Sequence, residues 1–222
     1  MEIKNISKSY GKKTVLKDIS FSADEGVCIG IVGGNGSGKS TLLNILSGVT
    51  RCDGGCFEYD GVNLFGNRKR CAEIIGYVPQ STPLIEELSA LDNLRLWYTG
   101  EEIKRELSGG VLEKLGIGEF LKVTVSKLSG GMKKRLAIGC AVAHSPKILL
   151  LDEPSAALDV VCKQTIREYI RDFKAKGGIV IIATHDTDEL PLCDRIYLLK
   201  GGSLCEYRYD GSVERLIAEL KK

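Results

Sequence analysis

The sequence predicts an α/β fold around a mostly parallel sheet, and three observations carry that reading. First, the runs Val27 to Val32, Lys147 to Asp152 and Ile179 to Thr184 are short and nearly all apolar, which suits strands buried on both faces. Second, helical patterns follow the first two runs, at Thr41 to Leu46 and at Val160 to Phe173. Third, from Leu84 to about Phe120 the composition shifts to Leu and Glu at helical spacing, for example Leu88, Leu91, Leu94 and Tyr98. That shift reads as a helical insertion, roughly 80–145, between strands of the core.

Composition bounds the rest. At 222 residues and 43% hydrophobic, the chain suits one domain spanning 1–222. Its core is expected to comprise 1–79 and 146–222, with 80–145 as the helical subdomain. A net charge of +2 with 27% charged residues gives no electrostatic case for nucleic acid or for a membrane surface. Met1-Glu2-Ile3-Lys4-Asn5 leads straight into an alternating strand pattern rather than a secretory signal. No run reaches the roughly 18 apolar residues needed to span a bilayer, so a membrane part would come from another chain. The eight cysteines are mostly scattered inside apolar runs and are expected to be free buried thiols in a reducing cytoplasm. Cys52, Cys56 and Cys71 lack the spacing of a paired zinc knuckle.

At the N-terminus, Glu2 to Ser7 alternates like a half-buried strand, Tyr10 to Lys13 reads as a turn, and Val15 to Phe21 as a second strand. An antiparallel β subdomain is expected there. The stretch Gly33-Gly34-Asn35-Gly36-Ser37-Gly38-Lys39-Ser40-Thr41 then fits the phosphate-binding pattern G-x-x-x-x-G-K-[ST]. It lies between a strand and a helix start, where backbone N–H groups and the positive helix end face one point. Lys39 is expected to neutralise β- and γ-phosphate oxygens, and the Ser40 hydroxyl to ligate Mg²⁺. The chain is therefore expected to bind a nucleoside triphosphate.

Further along, Arg51 to Gly61 shows turn, short strand and turn. Ile74 to Val78 reads as a strand halted by Pro79, leaving Gln80 on the loop beyond. Ser89 suits a helix cap, with Asp92 at the third helical position. Ser129-Gly130-Gly131 opens a helix pattern running from Lys133 through Ala143, a second phosphate-directed N-terminus without a lysine. The same letters at Ser108-Gly109-Gly110 read as a plain loop-to-helix junction. The strand from Lys147 ends in Asp152-Glu153, at the edge where ligands gather in parallel sheets. Asp152 is expected to hold the Mg²⁺ shell, and Glu153 to orient or deprotonate an attacking water. His185 closes the next strand and is placed to reach a γ-phosphate. Arg195 to Leu199 and Ser203 to Tyr207 suggest a hairpin. Val213, Leu216, Ile217 and Leu220 form one helix face, expected to pack on the chain's own core.

Taken together, these motifs resemble the ATP-binding cassette (ABC) ATPases over essentially the whole chain, and so imply a P-loop NTPase core. By that resemblance Tyr10 stacks on adenine, Gly33 to Thr41 is the Walker A loop, and Gln80 senses Mg²⁺ and the membrane partner. Leu128-Ser129-Gly130-Gly131-Met132 looks like the signature motif. Ile148 to Asp152 is similar to the Walker B strand, with Glu153 the catalytic glutamate and His185 the switch histidine. Ser155 to Asp159 resembles the D-loop. Gly34 stands where proline is common and Ser155 where threonine is common, and neither removes a needed chemical group.

The resemblance implies an ATPase using ATP and Mg²⁺. Two cassettes would meet head to tail, each ATP lying on one copy's Walker A loop and covered by the other's Ser129, Gly130, Gly131 and Asp159. It further implies a subunit on the cytoplasmic face of a membrane, held there by separate permease subunits, with wording weakly similar to export systems. The alternative is a soluble ABC-type ATPase serving a non-membrane partner such as an iron–sulfur assembly scaffold. A metabolite kinase is disfavoured, since it has no use for Ser129-Gly130-Gly131 or His185.

Overall fold

The computed structural model describes residues 1–221. Strands β1 (Glu2–Tyr10) and β2 (Lys13–Ser22) form an antiparallel pair. β1 runs further than its sequence pattern suggested: Tyr10 is its last residue and pairs with Lys13, so the expected turn Tyr10 to Lys13 is present with its end residues in the strands. Gly11, at φ 59°, lets the chain reverse in two residues. β4 (Gly54–Tyr59) and β5 (Val62–Asn63) complete this sheet in the order β2-β1-β4-β5.

Between these hairpins run β3 (Cys28–Val32) and α1 (Lys39–Leu46). After β5 comes α2 (Arg68–Ile74), a helix the sequence reading passed over. It is two turns long, mostly charged, and buries only Cys71 and Ile74, so its apolar period is too brief to register. Asn67 caps it, accepting a hydrogen bond from the Arg70 N–H at 3.1 Å.

β6 (Ile75–Val78) opens the second half of the larger sheet. Before the next strand, the chain forms α3 (Ala90–Leu94), α4 (Gly100–Leu107), α5 (Val111–Lys114) and α6 (Gly130–Ala141). Ser89 caps α3 by accepting from the Asp92 N–H, as its position suggested. Gly110 precedes α5, so the earlier Ser-Gly-Gly copy is a junction between two helices. Then follow β7 (Ile148–Asp152), α7 (Val160–Ala175), β8 (Ile179–Thr184), β9 (Arg195–Lys200), β10 (Ser203–Tyr207) and α8 (Val213–Lys221).

The six-stranded sheet has the order β10-β9-β3-β8-β7-β6, parallel except for the β9–β10 hairpin. Alternation along its strands divides the core into two layers. Ile148 and Leu150 of β7, with Ile179 and Ile181 of β8, pack beneath α1 and the antiparallel sheet. Leu149 and Leu151, with Val180 and Ile182, meet α6, α7 and the inserted helices on the other face. Both faces are covered, which is why these strands carry no polar positions before their ends.

Two expectations need correction. Only part of the α8 face is buried: Leu216 is 2% exposed, whereas Val213 and Ile217 are 36% and 45% exposed. The cluster beneath α8 is a narrow one built on Val32, Leu190, Ile196 and Leu198, and it takes one side chain fully. The eight thiols are free, but only Cys28, Cys71, Cys140 and Cys162 are buried, and Cys205 is exposed on β10.

Stability should follow this layering. Replacing Leu150, 0% exposed, with alanine is expected to cost about 2–5 kcal/mol in urea unfolding, because a cavity opens between β7 and α1. Leu96→Ala, at a site 58% exposed, should stay within about 0.5 kcal/mol of the parent.

Candidate active site at the strand ends

The parallel register brings four strand ends together. Val32 of β3 lies opposite Thr184 of β8, Asp152 of β7 opposite Ala183, and Val78 of β6 opposite Leu151. The glycine-rich loop, His185, Glu153 and Gln80 therefore leave the sheet side by side.

From β3 the chain turns tightly into α1. A Cβ on Gly33 would sit 2.5 Å from the Ser37 hydroxyl and 2.7 Å from the Leu199 carbonyl, so only glycine fits there. Gly38, at φ 109°, delivers the chain into α1. The Ser37 N–H donates to the Gly34 carbonyl at 3.1 Å, while the buried Ser37 hydroxyl has no hydrogen-bond partner among the described residues. Lys39 is 6% exposed, and its ammonium donates to the carbonyls of Gly33 (2.8 Å) and Gly34 (3.2 Å). Burial lowers its pKa, and the charges of Glu153 and Asp152 pull it back up.

Asn35, Gly36, Ser40 and Thr41 line one wall of an open cleft with this loop, and Tyr10 lines its mouth. The Tyr10 ring is half exposed beneath the Lys8 ammonium, 5.4 Å from its centroid. Lys13 and Val15 also line the mouth, and the motif reading did not single them out.

Asp152 and Glu153 differ sharply in surroundings. Asp152 is 2% exposed, and the Ser40 hydroxyl beside it favours its ionised form. Burial raises its pKa, opposed by Ser40, Lys39 and Lys134, while the Glu153 charge adds to the rise. Its Oδ1 is buried without a hydrogen-bond partner. An orphaned carboxylate oxygen beside a serine hydroxyl is a donor set that suits a hard divalent cation such as Mg²⁺, so the residues present fit that metal.

Glu153 bridges two groups. Its Oε2 accepts from Gln80 Nε2 at 2.9 Å, and its Oε1 lies 2.9 Å from His185 Nδ1. The Glu153 backbone is left-handed, at φ 47°, which is uncommon for a non-glycine residue and concentrates at functional sites. Its N–H donates to the Ala183 carbonyl at 2.8 Å, fixing the turn against β8. The His185 side chain remains about half exposed to the cleft.

Ser129, Gly130, Gly131 and Asp159 do not line this cleft. Ser129 caps α6, whose first residue Gly130 comes three residues before Lys133, and accepts from the Met132 N–H at 3.2 Å. Asp159 caps α7 and accepts from the Cys162 N–H at 2.8 Å. The two helix starts abut each other: a Cβ on Gly131 would lie 2.3 Å from Cys162 Sγ. Ser129 and Gly130 are exposed.

Two buried charged residues escaped the motif reading. Glu189, 2% exposed, accepts from both the N–H and the hydroxyl of Ser155, tying the segment after His185 to the start of the Ser155–Asp159 turn. Lys134 on α6, 5% exposed, donates to the carbonyls of Pro79 and Gln80. Its signal was a basic residue on the apolar stripe shared with Gly131 and Ile138.

Known proteins resemble this chain throughout. The family model described as "ABC transporter" matches residues 16–156. The linearmycin resistance ATP-binding protein LnrL of Bacillus subtilis is 36% identical over 92% of this chain and 67% of its own length. The lantibiotic transport ATP-binding protein SrtF of Streptococcus pyogenes is 35% identical over 96% of this chain and 92% of its own length. A solved ATP-binding subunit of an ABC transporter superposes with TM-score 0.88 at 27% identity, covering 100% of this chain and 99% of that one. A dimeric ATP-binding cassette in a post-hydrolysis state, bound to ADP and Pi, gives TM-score 0.82 at 31% identity over 95% of this chain and 99% of that one. With its phosphate loop, paired acids and bridging glutamate converging at one sheet edge, the chain belongs to the ATP-binding cassette family of ABC transporter proteins and is an ATPase.

Proposed function

We propose that this chain is the ATP-hydrolysing subunit of a membrane exporter and works as a pair of cassettes. The observation that carries this reading is the split between the cleft and the two capped helix starts. The cleft is lined by the phosphate loop, Glu153, Gln80 and His185, with Asp152 buried one residue before Glu153, while Ser129 and Asp159 cap helices outside that lining. A helix N-terminus completes a γ-phosphate site only when it faces the phosphate, so here a second copy would supply it. Val160 and Val161, beside Asp159, are 82% and 75% exposed, an apolar surface suited to that contact.

In the proposed cycle, Tyr10 stacks on adenine and the Gly33–Thr41 loop wraps the phosphates. Lys39 exchanges its bonds to the Gly33 and Gly34 carbonyls for phosphate oxygens. Ser40, Asp152 and Gln80 would hold Mg²⁺, which would supply charge neutralisation to the phosphates. Glu153 orients and deprotonates the attacking water, and His185 holds both Glu153 and the γ-phosphate. Each charge-assisted hydrogen bond across the pair is worth about 1.5–3 kcal/mol. Hydrolysis removes several of them and reopens the clamp.

The residues 80–145 form the helical subdomain in this reading, with Gln80 at its hinge to the core. Among the described residues no helix is long and apolar enough to cross a membrane, so a separate permease subunit would supply the channel and hold this chain at the cytoplasmic face. Export is favoured by relatives described as serving lantibiotic transport and Nod factor export. Ile85, Leu96 and Trp97, 44%, 58% and 62% exposed after the Gln80 loop, favour a membrane subunit over the soluble-partner alternative as apolar docking points.

Two experiments test this. Glu153→Gln should lower ATP turnover by roughly 10²–10⁴-fold while retaining ATP binding. Tagged and recovered from native membranes with ATP and Mg²⁺, it should bring down a polytopic membrane protein. Recovery of soluble partners alone would promote the alternative. In the Glu153→Gln background, ATP should convert monomer to dimer by light scattering, and adding Ser129→Arg should abolish that dimer. A dimer unaffected by the arginine would refute the shared site.

A further inference from the structure

Lys134 lies on α6, the helix that opens at Ser129, yet it points away from the exposed helix start. It is 5% exposed, and its ammonium donates to the carbonyl oxygens of Pro79 at 3.2 Å and Gln80 at 3.3 Å. The line of contacts continues from there. Gln80 Nε2 donates to Glu153 Oε2 at 2.9 Å, and Glu153 Oε1 meets His185 Nδ1 at 2.9 Å. One polar chain thus runs from the helix bearing Ser129 to the carboxylate at the end of β7.

We propose that Lys134 is a positioning residue: by gripping the Pro79 and Gln80 carbonyls from α6, it sets where the Gln80 amide stands against Glu153. Movement of α6 is then passed to the hydrolytic carboxylate through one lysine and one glutamine.

The chemistry of the side chain supports this assignment. A buried ammonium loses its hydration, and an apolar residue of similar volume fills such a space at least as well when packing alone is required. Here the loss is opposed by the charges of Asp152, Glu189 and Glu153. Lysine offers three donors and no acceptor on a flexible stem, so it can follow two adjacent carbonyls as the loop shifts. Arg135, the next residue, is directed elsewhere, donating to the Leu115 carbonyl at 2.9 Å. The grip on the Gln80 loop belongs to Lys134 in particular.

The proposal rests on reading Gln80 and Glu153 as hydrolytic groups, and the test separates the two ideas. ATP turnover and hydrogen exchange are measured on the full chain for Lys134→Met, Lys134→Arg, Gln80→Ala and the Lys134→Met/Gln80→Ala pair. Lys134→Met should lower kcat by about tenfold or more with KM for ATP within about threefold, and Lys134→Arg should restore most of it. In the Gln80→Ala background, Lys134→Met should lower kcat by no more than about twofold further, since both act through one contact. Without nucleotide, amide exchange over 80–84 should quicken in Lys134→Met and return towards the parent rate in Lys134→Arg. Additive losses in the double variant, or unchanged exchange over 80–84, would overturn the proposal. So would a fall in kcat matched by an equal loss of thermal stability and not rescued by arginine. If Lys134→Met does not fold, Lys134→Leu, which likewise has no donor, is read the same way. Full turnover in Gln80→Ala and Glu153→Gln would instead refute the reading of the site, while the exchange data would still judge the Lys134 contact.

Discussion

Because β3, β8 and β7 run parallel and in register, the loops that follow them emerge abreast, and the placing of the phosphate loop, Glu153 and His185 depends on that alignment. Val32 faces Thr184 and Asp152 faces Ala183. One residue beyond each end stand Gly33, His185 and Glu153. A slip of one residue in any pairing would send alternate side chains to the wrong face of the sheet. Leu149 and Leu151 belong to one layer and Ile148 and Leu150 to the other, so the fit of these side chains in their layers joins the ladder hydrogen bonds in holding the register.

Burial at these strand ends also sets the electrostatics. Lys39, Asp152 and Lys134 lie below 10% exposure, and each is pushed towards its neutral form by lost hydration. Each is also pulled back by the opposite charges of the others. The two lysines oppose the rise at Asp152, and Asp152 and Glu153 oppose the fall at both lysines. The charges offset one another's lost hydration, and removing one partner leaves an uncompensated charge. In such surroundings a triphosphate entering the cleft meets a lysine held only by two backbone carbonyls, bonds that it can exchange.

The same logic joins the helical segment to the core. Lys134 reaches the Gln80 loop and Glu189 reaches Ser155, so the two loops flanking Glu153 are each held by a buried charge from outside the strand that bears it. Buried side chains of the covering layer are thus hydrogen-bonded to the loops at the strand ends. That is what a cassette needs if movement of its helices is to be felt at Glu153.

Much of this was legible in the chain alone, because the relevant chemistry is local. The phosphate loop is a contiguous run, the buried strands are continuous apolar stretches, and Ser89, Ser129 and Asp159 announce helix starts within a few residues of themselves. Other features depended on pairings between distant residues and carried no local mark. Tyr10 belongs to β1 because it pairs across the turn with Lys13, and α2 was hidden because its seven residues bury too little to show a period. The α8 face is only partly covered because its partner cluster is narrow. Lys134 and the Pro79 carbonyl lie 55 positions apart, and Glu189 and Ser155 lie 34 apart. The sequence by itself determined which groups are candidates for phosphate chemistry and in what order they follow along the chain. Tertiary structure alone decided which buried charges hold those groups in place, because a buried lysine or glutamate is defined by the partner that offsets its lost hydration.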